Sequence, residues 1–244
     1  MRMDDAPLRI DVAGLAKRYG TRAVVSGVSM TIAAGEIVAL VGGNGGGKTT
    51  TLRMLAGLLK PDAGSGTVMG CDIRKNGAAA RGAIGYMTQS VALYRELDVL
   101  TNLRFRAAIH RLADAASAID DAIATYGLCD YATTRIDRLS GGWARRAQFA
   151  ATMLHRPPLL LLDEPTAGLD AVTRRDLWGW LDALADEGHS IVISTHDLAE
   201  AERCPRIILY EAGVATGPIT PADLRVRASA ATLEAAIVAR ATCG

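Results

Sequence analysis

No uncharged stretch in this 244-residue chain exceeds 13 residues, as from Gly82 to Tyr94. A helix that crosses a bilayer needs roughly 18 or more apolar residues, so the chain is not expected to cross a membrane by itself. Cysteine is sparse and scattered. Cys71, Cys129, Cys204 and Cys243 form no C-x-x-C pair and have no histidine at zinc-finger spacing, which argues against a disulfide framework or a zinc site and suits a reducing cytoplasm. Neither sign of charge is in excess, with 27 Lys+Arg against 26 Asp+Glu, which argues against nucleic-acid binding by general electrostatic attraction. Met1 to Pro7 has no apolar run behind its charges, so no signal peptide is expected. Lysine is also rare: Lys17, Lys48, Lys60 and Lys75 are four of the 27 basic residues, so a lysine in a special place is less readily an accident of composition.

Half of the residues are hydrophobic and 22% are charged, the balance of a folded chain rather than a disordered one. Domains usually run to about 100–200 residues, so one large domain, or a core with a smaller subdomain, is expected. Short apolar runs alternate with amphipathic segments, the pattern of an α/β protein with a mostly parallel sheet. Ile37–Val41, Ile84–Tyr86, Leu159–Leu162 and Ile191–Ile193 read as buried strands. Lys48 to about Leu58 reads as a helix stopped before Pro61. Between Gln89 and Leu139 the strand signal vanishes, and Leu100–Leu112 and Ala118–Tyr126 read as helices, with Leu103, Ala107 and Ile109 on one side of the first. Asp170–Glu187 is an amphipathic helix with Leu177, Leu181 and Leu184 at i, i+4 and i+7. Leu233–Ile237 reads as a short helix in an Ala-rich tail.

Gly42-x-x-x-x-Gly47-Lys48-Thr49 matches the P-loop pattern and lies between a buried strand and a helix. Glycines let successive backbone N–H groups approach phosphate oxygens with no Cβ in the way. The following helix points its positive end at the same oxygens. Lys48 adds a full charge toward the β- and γ-phosphates, and the Thr49 hydroxyl suits Mg²⁺. Leu159-Leu160-Leu161-Leu162-Asp163-Glu164 is an apolar strand ending in two acids. Such a strand is expected to expose them at the ligand crevice of an open α/β sheet, Asp163 for Mg²⁺ and Glu164 to polarise an attacking water.

With Leu139-Ser140-Gly141-Gly142-Trp143 and Asp163 to Asp170, these motifs make the chain resemble the ATP-binding cassette (ABC) ATPases from about Leu8 to about Gly217. Gln89 resembles the Q-loop glutamine, Ala167–Asp170 the D-loop, and His196 in Ser194-Thr195-His196-Asp197 the switch histidine. The resemblance implies a P-loop NTPase (RecA-like) core over about 1–90 and 155–222. A helical subdomain is inserted at about 91–154, an antiparallel β subdomain lies near the N-terminus, and residues 223–244 form a short helical tail. It implies that ATP is held by Tyr19, stacking on adenine, and by Gly42, Gly43, Asn44, Gly45, Gly46, Gly47, Lys48, Thr49 and Thr50, with Ser140, Gly141, Gly142 and Asp170 completing the contacts. Thr49, Gln89 and Asp163 would hold Mg²⁺, and Glu164, His196 and Gln89 would serve hydrolysis. In this family two cassettes face head to tail, the P-loop of one and the Ser-Gly-Gly of the other enclosing the nucleotide.

Some residues depart from the family pattern. Gly43 and Gly46 stand where Pro and Ala or Ser are common, Trp143 replaces the usual Gln, and Ala144-Arg145-Arg146 differs from the common continuation. The residues needed for hydrolysis are all present. The resemblance implies the motor subunit of a transporter, with a separate multi-span permease and a second cassette, usually an identical copy, as partners. It would sit at the cytoplasmic face of the inner membrane. The stretch from Leu93 to Leu103 and Thr232-Leu233-Glu234 resemble exporters of the drug-resistance and ABC-2 type. The alternative is a soluble ABC ATPase acting on DNA or ribosomes. Such relatives usually carry coiled-coil arms or two fused cassettes, and about 50 residues from Gln89 to Leu139 are too few for an arm. No nucleic acid is expected as a partner.

Overall fold

Alternating burial along the strands builds two apolar layers, one on each side of a single curled sheet. The computed structural model describes residues 7–211 and 213–242, without the side chains of 240–242. Met1–Ala6 and Cys243, on which two of the expectations above fall, lie outside the described residues. β1 (Leu8–Tyr19) and β2 (Arg22–Ala33) form an antiparallel hairpin. Ile10, Val12, Leu15, Val25, Val28, Met30 and Ile32 are its buried side chains, the signature of a half-buried sheet with side chains alternating between faces. β4 (Ala63–Val68) pairs antiparallel with β1, and β5 (Cys71–Asp72) with β4.

The rest of the sheet is mainly parallel. β3 (Ile37–Gly42), β6 (Ile84–Met87), β7 (Leu159–Asp163), β8 (Ser190–Thr195) and β9 (Arg206–Glu211) lie in the order β9-β3-β8-β7-β6. β10 (Val214–Ile219) runs antiparallel to β9 and joins β2 by a Val214–Ser26 bridge. The central strands are continuous apolar runs because both faces are covered. Val38, Leu40, Leu159, Leu161, Val192 and Ile208 pack toward the hairpin and α1 (Lys48–Leu55). Ala39, Val41, Leu160, Leu162, Ile191 and Ile193 pack toward α4 (Gly141–Met153) and α5 (Ala171–Asp186). Each fully buried leucine contributes about 1.5–3 kcal/mol by leaving water.

The segment between β6 and β7 carries α2 (Val99–Ile109), α3 (Ala115–Thr125) and α4. Side-chain caps fix most helix starts: Asp98 accepts from Thr101 N (2.6 Å), Asp114 from Ser117 N (3.2 Å) and Asp170 from Val172 N and Thr173 N (both 2.9 Å). α6 (Leu198–Arg203) is capped by Asp197, and α7 (Pro221–Arg227) by Thr220 with Pro221 in its first turn. The tail ends in α8 (Leu233–Thr242); Leu224, Leu233 and Ala236 are buried in the layer of α4 and α5.

Several expected details are corrected. α1 ends at Leu55, with Ala56 and Gly57 closing it, six residues ahead of Pro61. Ile109 does not share the buried side of α2 with Leu103 and Ala107; it is 53% exposed, because it follows Ala107 by two residues and thus projects to another side of the helix. α3 begins three residues earlier than read, where Asp114 caps it. α7 begins at Pro221, two residues ahead of the expected helical tail, and α8 extends beyond Ile237. Among the described residues no helix is long and apolar enough to cross a membrane.

The two-layer burial of β7 generates a stability prediction. Leu161→Ala, at a fully buried position, should destabilise the chain by about 2–5 kcal/mol. Urea unfolding followed by circular dichroism checks this, and a loss below about 1 kcal/mol would contradict the packing described.

Candidate functional site

The parallel strands end at one edge of the sheet, and there the motifs meet. β3 runs into the glycine loop and β7 into Asp163-Glu164, while β8 leads to His196 through Thr195. α1 differs from the aspartate-capped helices: its N-cap is Gly47, at φ +103°, with no side-chain cap. A Cβ at Gly47 would lie 2.6 Å from the Val24 carbonyl oxygen, and one at Gly42 would lie 2.4 Å from that of Tyr210. Both positions therefore need glycine on steric grounds. The uncapped helix start leaves its first N–H groups without intrahelical acceptors beside a cavity of about 230 Å³ lined by Asn44–Thr50, Val24, Gln89 and Glu164.

Lys48 is buried beside this cavity. Its Nζ donates to the carbonyl oxygens of Gly42 (2.6 Å) and Gly43 (3.0 Å) and lies 3.9 Å from Glu164 Oε1. Burial lowers its pKa below the ordinary lysine value, against the opposing pull of Glu164 and Asp163. Asp163 accepts at one oxygen from the Thr49 hydroxyl (3.0 Å) and the Ser194 hydroxyl (2.6 Å). Gln89 Nε2 donates to Glu164 Oε2 (3.2 Å), and His196 Nδ1 lies 3.3 Å from Glu164 Oε1. The expectation that the acids are exposed is corrected: Asp163 is 3% and Glu164 8% accessible. Their partners on α1, β8 and the loop after β6 close over them and repay in hydrogen bonds the cost of leaving water.

Glu164 has φ +46°, a left-handed conformation that costs a residue other than glycine of order 1–3 kcal/mol when it is strained. Its N–H donates to Ser194 Oγ (3.0 Å) and Ser194 O (3.2 Å), and its carbonyl accepts from Arg145 Nη2 (2.5 Å). The peptides on both sides of this residue are thus fixed. Ser194 and Arg145 were missed as functional candidates. Ser194 lies inside a quoted motif in which the histidine took the attention, and Arg145 was visible only as a departure from a familiar pattern.

The remaining expected residues lie elsewhere. Tyr19 is half exposed at the end of β1 and is not among the residues lining the cavity. Ser140, Gly141 and Gly142 start α4, with Ser140 as its N-cap and Gly141 as its first residue. Gly142 lies against Thr173 and Asp170: a Cβ there would be 3.3 Å from Thr173 Oγ1. Trp143 packs on Tyr131 at a centroid distance of 4.1 Å, and the Arg146 guanidinium lies 4.8 Å from its ring centre while pairing with Asp176. Apart from Tyr19, the residues expected on the ATP thus form two clusters, one around the cavity and one at the start of α4.

A groove of about 350 Å³ separates α1 and β6 from α2 and α4, lined among others by Leu58, Tyr86, Ile109, His110 and His155. The two imidazoles stack at 3.7 Å, and His155 Nε2 is 3.3 Å from the Ile84 carbonyl oxygen, a contact that requires the proton on Nε2. Burial first, then the charges of His110 and Arg106, push the His155 pKa from 6.5 down to about 4. A group with a lower pKa in the folded state stabilises the fold above its unfolded pKa, and that stability is lost as pH falls toward the folded value. Stability should therefore decline between about pH 6.5 and pH 4. His155→Gln should flatten the decline, as read from urea midpoints at pH 7 and pH 5; an equally steep decline in the variant would contradict this.

Comparison with known proteins follows the same lines. Residues 25–167 match the family described as ABC transporter. The chain is 36% identical over 222 residues to the "Probable multidrug ABC transporter ATP-binding protein YbhF" of Escherichia coli (strain K12), covering 90% of this chain and 38% of that protein. It is 39% identical over 211 residues to the "Nod factor export ATP-binding protein I" of Rhizobium leguminosarum bv. viciae, covering 85% of this chain and 68% of that one. The chain thus spans about two fifths of the length of the first relative. A solved structure of an ATP binding subunit of an ABC transporter superposes with a TM-score of 0.85 at 28% identity, covering 94% of this chain and 98% of that one.

Proposed function

Because this chain belongs to the ABC transporter family, we propose that it is the ATP-binding and ATP-hydrolysing motor subunit of an exporter with a separate membrane permease. The observation that carries this reading is the convergence of Lys48, Thr49, Gln89, Asp163, Glu164 and His196 at one end of the parallel strands, beside an uncapped helix start. Export is taken from the second relative above, which is a Nod factor export protein.

In this reading the glycine-loop amides and Lys48 hold the β- and γ-phosphates. The residues that would hold the metal offer oxygen ligands: the Thr49 hydroxyl, the Asp163 carboxylate, which accepts from it at 3.0 Å, and the Gln89 amide oxygen. That set fits Mg²⁺, a hard cation that keeps several of its waters. When bound, Mg²⁺ would neutralise charge on the phosphate oxygens. Glu164 orients the attacking water and takes its proton, held by the Gln89 amide and by His196 at 3.3 Å. In the same reading His196 stabilises the γ-phosphate region.

Ser140–Gly142 and Asp170 complete the nucleotide site of a second, facing copy, which accounts for their separation from the cavity in one chain. Tyr19 stacks on adenine at the open side. The ATPase unit spans residues 1–222, with 91–154 as its helical part and 223–244 as the tail. The groove between core and helices, with Leu58 and Ile109 exposed along it, receives a cytoplasmic segment of the permease. The chain thereby sits peripherally on the cytoplasmic face of the membrane.

Glu164→Gln should retain ATP binding within about threefold and lose at least about a hundredfold in turnover, the scale of general acid–base catalysis. Phosphate release and equilibrium nucleotide binding measure the two quantities. Unchanged turnover would remove Glu164 from the role of base.

A further inference from the structure

Arg145 has no carboxylate within ion-pair distance among the described residues, although it is only 5% accessible. Its guanidinium is satisfied mainly by backbone carbonyls from two other segments. Nη1 donates to Thr88 O (2.9 Å) and Gln89 O (2.6 Å), Nη2 to Glu164 O (2.5 Å), and Nε to Pro165 O (3.0 Å). Gln148, one turn further along α4, supports the same loop: its Oε1 accepts from Arg145 Nη1 (3.1 Å), while its Nε2 donates to Thr88 Oγ1 (3.1 Å) and Ser90 O (3.1 Å). One planar cation therefore ties the loop after β6 to the turn after β7.

The two backbones it ties belong to the residues whose side chains meet at the cavity. Gln89 and Glu164 each give a carbonyl to Arg145, and Gln89 Nε2 donates to Glu164 Oε2. The backbone that Arg145 fixes at Glu164 is the left-handed one, a conformation that persists only where its surroundings over-determine it. We propose that Arg145 is a positioning residue for hydrolysis, setting Gln89 and Glu164 at the spacing that aims both side chains at the attacking water. The inference rests on the assignment of Glu164 as the base. Because Arg145 lies on the helix that begins at Ser140–Gly142, any displacement of that helix moves both residues together.

Lysine cannot replace the fork. An ammonium is a point donor on a flexible stem, whereas the guanidinium offers five N–H groups in a fixed plane, and here that plane spans carbonyls of residues 88, 89, 164 and 165. Glutamine retains a planar amide but not the charge or the reach to both segments.

The test compares Arg145→Lys and Arg145→Gln with the unaltered chain in steady-state ATPase assays. Rates are expressed per site that binds a fluorescent ATP analogue, so that misfolded chains are not counted. Both variants are expected to lose ten- to a hundredfold in kcat with KM for ATP within threefold, the pattern of an interaction that matters in the transition state and not for ground-state binding. A kcat per site within threefold of the unaltered chain, or a KM that rises in step with the fall in kcat, would overturn the proposal. Glu164→Gln measured alongside separates the two assignments. If Glu164→Gln retains turnover, the base is misassigned; if it alone loses turnover, Arg145 has no positioning role.

Discussion

A strand buried on both faces delivers the two acids of the site. β7 packs Leu159 and Leu161 into one apolar layer and Leu160 and Leu162 into the other, so it cannot slide or twist without opening both. Asp163 and Glu164 inherit that rigidity. Their polar partners come from elements attached to the same sheet: Thr49 at the start of α1, Ser194 on β8, and Gln89 just beyond β6. The site is in effect the polar edge of the apolar core, and precision at the acids follows from packing beneath them.

Charge balance follows from the same placement. Two buried carboxylates beside one buried lysine would be costly if left to Coulomb attraction alone. Here the Asp163 carboxylate is met by two hydroxyls and the Glu164 carboxylate by an amide, with Lys48 and His196 nearby. Arg145 adds a cation behind the turn, where burial pushes its pKa down to about 10 against the opposing charges of Asp163 and Glu164. Backbone dipoles rather than a carboxylate satisfy that cation, so its fork is spent on geometry. Ser140–Gly142 at the start of α4 do not line the cavity, although Arg145, further along the same helix, belongs to this network.

Much of this was legible in the residue order, because each motif is a local pattern with a local cause. The glycine loop is read from the Gly42-x-x-x-x-Gly47-Lys48-Thr49 pattern between a strand and a helix, and β7 from a continuous run of leucines. The α/β class, the leucine stripe of α5 and the helical nature of the segment after Gln89 are read in the same way. What could not be read depends on contacts between distant segments. The hydroxyls that meet the Asp163 carboxylate lie 114 and 31 residues away, and the amide that meets the Glu164 carboxylate lies 75 residues away. Arg145 reaches residues 56 and 19 positions distant, and no periodicity marks such a side chain. The exposure of Ile109 is different: it was present in the spacing, two residues beyond Ala107, and was missed by grouping apolar residues without regard to helical angle.

If Lys48 of one copy and Ser140 of a second face the same triphosphate, pairing of the chains requires both bound nucleotide and an unobstructed residue 140. Native mass spectrometry in magnesium and a non-hydrolysable ATP analogue tests it most directly, comparing the unaltered chain with Ser140→Arg. Two chains holding two nucleotides are expected for the unaltered protein, and a single chain holding one nucleotide for the variant. A Ser140→Arg variant that pairs around two nucleotides as readily as the unaltered chain would contradict it.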